Sequence, residues 1–174
     1  MIDAEHLLRR NAVFAASGAY AGLTIRATGN LRVIGCVDSR VDPSDVLGLQ
    51  LGEATVIRNV GGRVTPATLR TLRMLAEVSR ANSDGRPQGA AHVVILHHTG
   101  CGMKDLAVFP ELLAEYFEIP ASELDKKHIT DPEHSVQVDV EEIKQALTPG
   151  VFVTGLVYNV ATGLVKITSP PTRA

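Results

Sequence analysis

The chain has 174 residues, 45% of them hydrophobic and 21% charged, with aromatic residues at only 4% and no Trp. That length supports one aliphatic, Ala-rich core and is too short for two, so a single domain spanning 1–174 is expected. Seventeen Lys and Arg against nineteen Asp and Glu give a net charge of -2 with no basic run, which excludes the phosphate-tracking surface of a nucleic-acid binder.

At the N-terminus Asp3 and Glu5 precede the short apolar patch Ala12 to Ala16, the wrong charge order and too short for a secretory signal. No segment approaches the roughly 18 apolar residues that cross a bilayer. A cytoplasmic protein without a membrane partner is the expectation. In a reducing compartment Cys36 and Cys101 are expected to be free, catalytic or metal-bound rather than disulfide-linked.

Asp3 to Ala16 carries Leu7, Leu8, Val13 and Phe14 at loosely helical spacing behind an acidic first turn, and is read as a helix. Gly18 to Gly29 reads as a loop. Leu31 to Cys36 and Ala54 to Arg58 are short apolar runs between turn residues, as in strands buried on both faces. Thr65 and Pro66 start a helix that Leu69, Leu72, Met74, Leu75 and Val78 carry to about Arg80, with a polar break at Asn82 to Gly89. His92 to His97 is the strongest strand, and Gly100-Cys101-Gly102 turns the chain away from its carboxyl end. Phe109 to Phe117 and Val138 to Leu147 read as helices around an irregular polar stretch, Ala121 to His134. Val151 to Val157 and Leu164 to Ile167, with a turn at Asn159 to Gly163, read as closing strands. Strands alternating with helices predict an α/β fold around a mainly parallel sheet, flanked by helices, with an antiparallel end strand allowed. Ligand sites in such sheets collect at the carboxyl ends of the strands, where Cys36 and His98 fall.

Cys36-Val37-Asp38-Ser39-Arg40 leaves the first strand and His98-Thr99-Gly100-Cys101 leaves the third. Two thiolates and one imidazole form a Cys2His set, which holds zinc while leaving a fourth position open for catalysis. Sulfur ligands disfavour magnesium, calcium and manganese, and two cysteines are too few for an iron–sulfur cluster. A buried cysteine or a strand-end histidine is more often only a packed side chain, so the weight lies on the combination. Asp38 and Arg40 lie two apart in a strand-exit turn, where a carboxylate and a guanidinium pair through two parallel hydrogen bonds. Alone, that is a surface ion pair worth little. Beside a metal it would hold Asp38 ionised and able to accept a hydrogen bond from bound water, and release by Arg40 would let Asp38 become the fourth ligand. A zinc ion lowers the pKa of its bound water from about 15.7 to nearly 7, so hydroxide is plentiful at neutral pH.

By Cys36-x-Asp38-Ser39-Arg40, by Arg58-Asn59-Val60-Gly61-Gly62 and by His98-x-x-Cys101-Gly102, the chain resembles the β-class carbonic anhydrases. The resemblance implies one zinc ion per chain on Cys36, His98 and Cys101, with Asp38 and Arg40 as the dyad that orients bound water. It also implies hydroxide attack on carbon dioxide, Asp38 replacing the water in a closed resting state, and a homodimer or homotetramer with pockets at the subunit interface. Val33 stands where the bicarbonate-regulated subgroup carries Trp, so the likeness to that subgroup's regulatory pocket breaks there although Arg58 is present. Gly100 stands where many short relatives carry Asp. The compact chain is similar also to family members that hydrolyse carbonyl sulfide or carbon disulfide, and the motif does not separate these substrates. A zinc-stabilised regulatory module without turnover is the third alternative, opposed by the intact Asp38–Arg40 pair.

Other residues take ordinary readings. His97 should point away from the metal, because neighbouring side chains on a strand face opposite ways, and reads as a core or interface histidine. His92, His128 and His134 are assigned no role. Gly61-Gly62 reads as a turn, Lys104 and Asp105 as a solvated helix start, and Ser39 lacks a base partner.

Overall fold

A computed structural model describes residues 2–83, 90–147 and 150–174. The sheet has five strands in the order β2-β1-β3-β4-β5: β1 Leu31–Cys36, β2 Ala54–Asn59, β3 His92–His98, β4 Phe152–Asn159 and β5 Leu164–Arg173. β1 pairs in parallel with β2 and β3, β3 pairs in parallel with β4, and β5 returns antiparallel on β4. The α/β reading with a mainly parallel sheet and an antiparallel end strand is thus what the chain adopts. The polar break read at Asn82 to Gly89 lies, from residue 84 on, outside the described residues.

β1 and β3 lie inside the sheet and are covered on both faces, which is why each reads as a continuous apolar run. On one face Ile34, Ile95 and Val153 pack against Leu72 of α3 (Pro66–Ala81) and against Val136, Val140 and Ile143 of α5 (Pro132–Ala146). On the other, Val33, Val94 and Leu96 pack with Val41 and with Val46 and Leu47 of α2 (Pro43–Leu47). A third cluster, Met103, Leu113, Phe117 and Leu124, joins the segment after β3 to α4 (Pro110–Phe117).

Three elements differ from the sequence reading. α5 begins at Pro132 rather than Val138, because the Asp131 side chain accepts from the backbone N–H groups of Glu133 and His134 and Pro132 occupies the first turn. The stretch before it holds a 3-10 segment, Ala121–Lys127. The short helix α2, capped by Asp42 and closed by left-handed Gly48, was hidden because its five residues give no period to detect. β5 runs on to Arg173 through Pro170 and Pro171; β5 lies at the sheet edge and bulges there, where missing N–H groups break no interior ladder.

Helix α1 (Ala4–Ala16) buries no side chain, and Leu7, Leu8, Val13 and Phe14 are all exposed. Among the described residues, no helix is long and apolar enough to cross a membrane.

Candidate metal centre

Parallel strands bring their carboxyl ends to one edge, and that edge assembles the predicted ligands. Cys36 is the last residue of β1 and His98 the last of β3, while Cys101 follows after one tight turn. Their ligand atoms lie within 4.8 Å of one another, with Cys36 Sγ and Cys101 Sγ 3.9 Å apart. Cys36 and His98 are buried and Cys101 is half-buried. The backbone N–H of Asp38 points at Cys36 Sγ from 3.4 Å and that of Met103 at Cys101 Sγ from 3.5 Å, an arrangement that stabilises thiolate charge.

The Cys101 thiol, donating to Cys36, lowers the Cys36 pKa, and the Asp38 N–H adds to this against the opposing effect of burial. The same contact, together with burial, raises Cys101. The contact thus favours one thiolate of the pair over the other, and a metal bound by both sulfurs would have to displace the remaining thiol proton.

His98 Nδ1 lies 3.0 Å from the carbonyl of Thr99. A carbonyl only accepts, so Nδ1 carries the proton and Nε2 keeps its lone pair. Nε2 is buried without a hydrogen-bond partner. A buried, unpartnered imidazole nitrogen in a cluster with two sulfurs is the donor set that a soft, four-coordinate dication completes, and the residues present fit zinc.

The Asp38–Arg40 pair forms in the predicted two-pronged way. Arg40 Nε donates to Asp38 Oδ1 at 3.0 Å and Nη2 to Oδ2 at 2.6 Å, and the Arg40 backbone N–H adds a bond to Oδ1 at 2.9 Å. These bonds from Arg40 hold the Asp38 carboxyl well below the usual carboxylate range. Arg40 Nη2 also donates to the Gly100 carbonyl at 3.0 Å, tying the dyad to the turn that carries Cys101. Asp38 Oδ2 lies 4.0 Å from His98 Nε2. In this arrangement Asp38 is turned to Arg40.

Two supports were not read from the sequence. Arg58, in β2, donates to the carbonyl of Cys36 at 2.9 Å, to the carbonyl of Asp38 at 2.8 Å and to Asp42 Oδ2 at 2.7 Å. One guanidinium thereby fastens the whole loop that carries Cys36, Asp38 and Arg40. Asn59 accepts from the Arg63 N–H and donates to the Arg63 carbonyl, which closes the turn Val60–Gly62. That turn presses on the strand ends. A Cβ on Gly62 would lie 2.9 Å from Cys36 N and 2.9 Å from the Gly35 carbonyl carbon, at a backbone φ of +67°. Gly61-Gly62 is therefore a turn, as read, but one required by close approach to a ligand strand. Gly62→Ala is expected to displace Cys36 and lower zinc stoichiometry while secondary structure persists; elemental analysis beside circular dichroism checks this.

The remaining histidines stand where the sequence put them. His97 turns away from the cluster to Ser135 Oγ, 2.8 Å from Nδ1, and its Nε2 is 3.3 Å from Asp139 Oδ2. His92 pairs with Thr154 at the opposite end of β3. His128 and His134 stack on each other with centroids 5.4 Å apart, outside the cluster. Lys104 and Asp105 pair at the surface.

Residues 31–165 match the family model described as carbonic anhydrase. The chain belongs to the β-carbonic anhydrase family. It is 30% identical over 169 residues to β-carbonic anhydrase 1 of Mycobacterium tuberculosis, covering 92% of this chain and 94% of that protein. Over 87 residues it is 32% identical to a carbon disulfide hydrolase of Acidianus, a match covering 50% of this chain and 37% of that protein. The crystal structure of a carbonic anhydrase from Streptococcus mutans superposes with a TM-score of 0.73 at 28% identity, over 97% of this chain and all of that one. The matched span contains the cluster, the Asp38–Arg40 pair, Arg58 and the Val60–Gly62 turn.

Proposed function

We propose that the chain, as a single zinc domain, catalyses the reversible hydration of carbon dioxide to bicarbonate, with zinc held by Cys36, His98 and Cys101. The observation that carries this reading is the two-pronged Asp38–Arg40 pair beside a buried Cys2His cluster. A scaffold site would fill its fourth position with another protein ligand. Zinc bound there would lower the pKa of a coordinated water to about 7 and so supply hydroxide at neutral pH.

The chain's own residues orient that chemistry. Asp38, kept ionised by Arg40, would accept a hydrogen bond from water entering the cluster and so turn the water oxygen's lone pair towards a small electrophile. Arg40 keeps Asp38 from becoming a ligand, and Arg58 keeps the loop beneath both in register. Release of Asp38 by Arg40 would let the carboxylate close the site.

A second reading uses the same residues on carbonyl sulfide or carbon disulfide. Carbonyl sulfide and water give hydrogen sulfide and carbon dioxide. The likeness to a carbon disulfide hydrolase favours it. The exposed apolar side chains of α1 suit burial against a second copy, so a homodimer or homotetramer is the proposed assembly, in the cytoplasm.

One zinc-quantified preparation assayed for carbon dioxide hydration and for hydrogen sulfide release names the substrate by the faster specific rate. Asp38→Ala is expected to retain zinc and to lose turnover by about 10²–10⁴-fold, the range for a positioned proton-handling group. Normal turnover in that variant would remove Asp38 from the reaction.

A further inference from the structure

At the amino end of the sheet, opposite the metal cluster, lies a small open cavity of about 20 Å³ lined by Arg26, Asn30, Arg32, Thr55 and Ser79. Most of its wall is polar and no carboxylate lines it. Arg32 precedes Cys36 by four residues on β1, which sets the two about 13 Å apart at the usual strand rise.

Three elements aim their side chains at this place. Arg32 lies two residues before Ile34 and so faces the same side of the sheet, towards α3. Ser79 follows Leu72 by about two helical turns on the face of α3 that meets Ile34. Thr55 is the register partner of Arg32 across β1 and β2, which sets the two side chains next to each other on that side. Arg26 arrives from the loop before β1. That loop is fastened to the start of β2, where the Thr28 N–H donates to the Gly52 carbonyl and the Gly29 N–H to the Glu53 carbonyl, each at 2.9 Å.

Both arginines are half-buried, and among the described residues neither has a side-chain hydrogen bond or an ion pair. Burial lowers the Arg32 pKa from its ordinary value, and no carboxylate offsets it. The other arginines withdrawn from solvent are handled differently: Arg58 is paired with Asp42 and Arg63 with Asp139. Charges taken out of water are normally paired, so two half-buried guanidinium groups at one cavity leave two positive charges for something outside the chain to balance.

We infer that Arg26 and Arg32 form a binding site for one phosphoryl-class dianion, with the Thr55 and Ser79 hydroxyls as further donors. Guanidinium groups match phosphate oxygens two at a time, and two of them balance the charge of one dianion. By the measure that gives one water about 10–15 Å³, the cavity seats one or two of the anion's oxygens, and its open mouth admits either free phosphate or the phosphate of a monoester. A singly charged anion such as bicarbonate would leave one guanidinium unbalanced. The site is at the far end of the sheet from the metal and does not rest on the reaction proposed above.

The test is a titration of zinc-loaded, 15N-labelled protein at constant ionic strength, followed by amide shifts, with inorganic phosphate, glycerol 3-phosphate and bicarbonate as separate arms. Saturable shifts are expected at Arg26, Arg32, Thr55 and Ser79 with both phosphates, and the tighter arm names the source of the phosphoryl group. Arg26→Gln, a loop change away from the core, should weaken binding at least about tenfold, as loss of a charged hydrogen-bond donor implies, with zinc content and circular dichroism unchanged. Ser79→Ala should weaken it by a smaller factor. Shifts that never saturate, shifts confined to Asp38, Arg40 and Cys101, bicarbonate binding at Arg26 and Arg32 as tightly as phosphate, or an unchanged midpoint in Arg26→Gln would overturn the site. Turnover is not read, so an enzyme inactive on carbon dioxide that still shows these shifts leaves the site standing.

Discussion

Cys101→Ser is expected to leave a folded chain that binds zinc more than about 100-fold more weakly and has lost almost all turnover. The bound is conservative, because removing a mere outer partner of a ligand already costs 10–100-fold in metal affinity or activity. Serine keeps the size and the turn but offers a hydroxyl in place of a thiolate, and the remaining pair, Cys36 and His98, cannot close a tetrahedral site. The fold should survive, since Cys101 lies after β3 and packs only at the margin of the Met103 cluster. Metal-to-protein ratio after gel filtration, measured beside the hydration rate, checks it. Full zinc occupancy with normal turnover would sink the ligand assignment.

Asp139→Ala acts on stability instead. Asp139 is fully buried and accepts from Arg63 Nε, Arg63 Nη2 and the Val64 N–H, all at 2.8 to 2.9 Å. Removing it strands the Arg63 charge, 2% exposed, and breaking a buried pair in this way costs about 3–5 kcal/mol. At about 2–4 °C per kcal/mol for a chain of this size, Tm should fall by roughly 6–20 °C. The pH dependence has a definite sign. Burial pushes the Asp139 carboxyl up, but the Arg63 charge together with hydrogen bonds from His97 and Arg63 outweighs it, and the pKa falls to about 2 from an ordinary 3.8. The folded state thus holds the proton less tightly than the unfolded one, so the contribution is present above pH 3.8 and is lost as pH falls towards 2. At about 1.4 kcal/mol per unit it amounts to about 2 kcal/mol. Denaturant unfolding of Asp139→Asn should show a flatter acid limb in that window than the parent. A drop below about 1 kcal/mol in Asp139→Ala, or an unchanged acid limb in Asp139→Asn, would show the pair to be dispensable.

The cluster was legible because its signals are local. Cys36 and His98 end apolar runs, Gly100 and Gly102 bracket Cys101, and Asp38 and Arg40 are two residues apart in one turn. Parallel pairing then does the rest by setting strand ends side by side. The start of α5 was also written locally, in Asp131-Pro132, but the polar residues around it masked the period that Val136, Val140 and Ile143 set. Arg63 and Asp139 lie 76 positions apart, and nothing local marks a pair that only the approach of α5 to Arg63 and Val64 creates. Arg58 is legible in the sequence only as part of the Arg58–Gly62 motif, and its three acceptors show that it ties down the loop carrying Cys36, Asp38 and Arg40.

Stopped-flow carbon dioxide hydration by zinc-quantified protein tests whether Cys36, His98 and Cys101 hold a zinc ion that the Asp38–Arg40 pair turns to hydration. One zinc per chain is expected, with a rate that falls in proportion to zinc as a chelator withdraws it and returns when zinc is restored. Protein carrying one zinc per chain that leaves the uncatalysed hydration rate unchanged would contradict it.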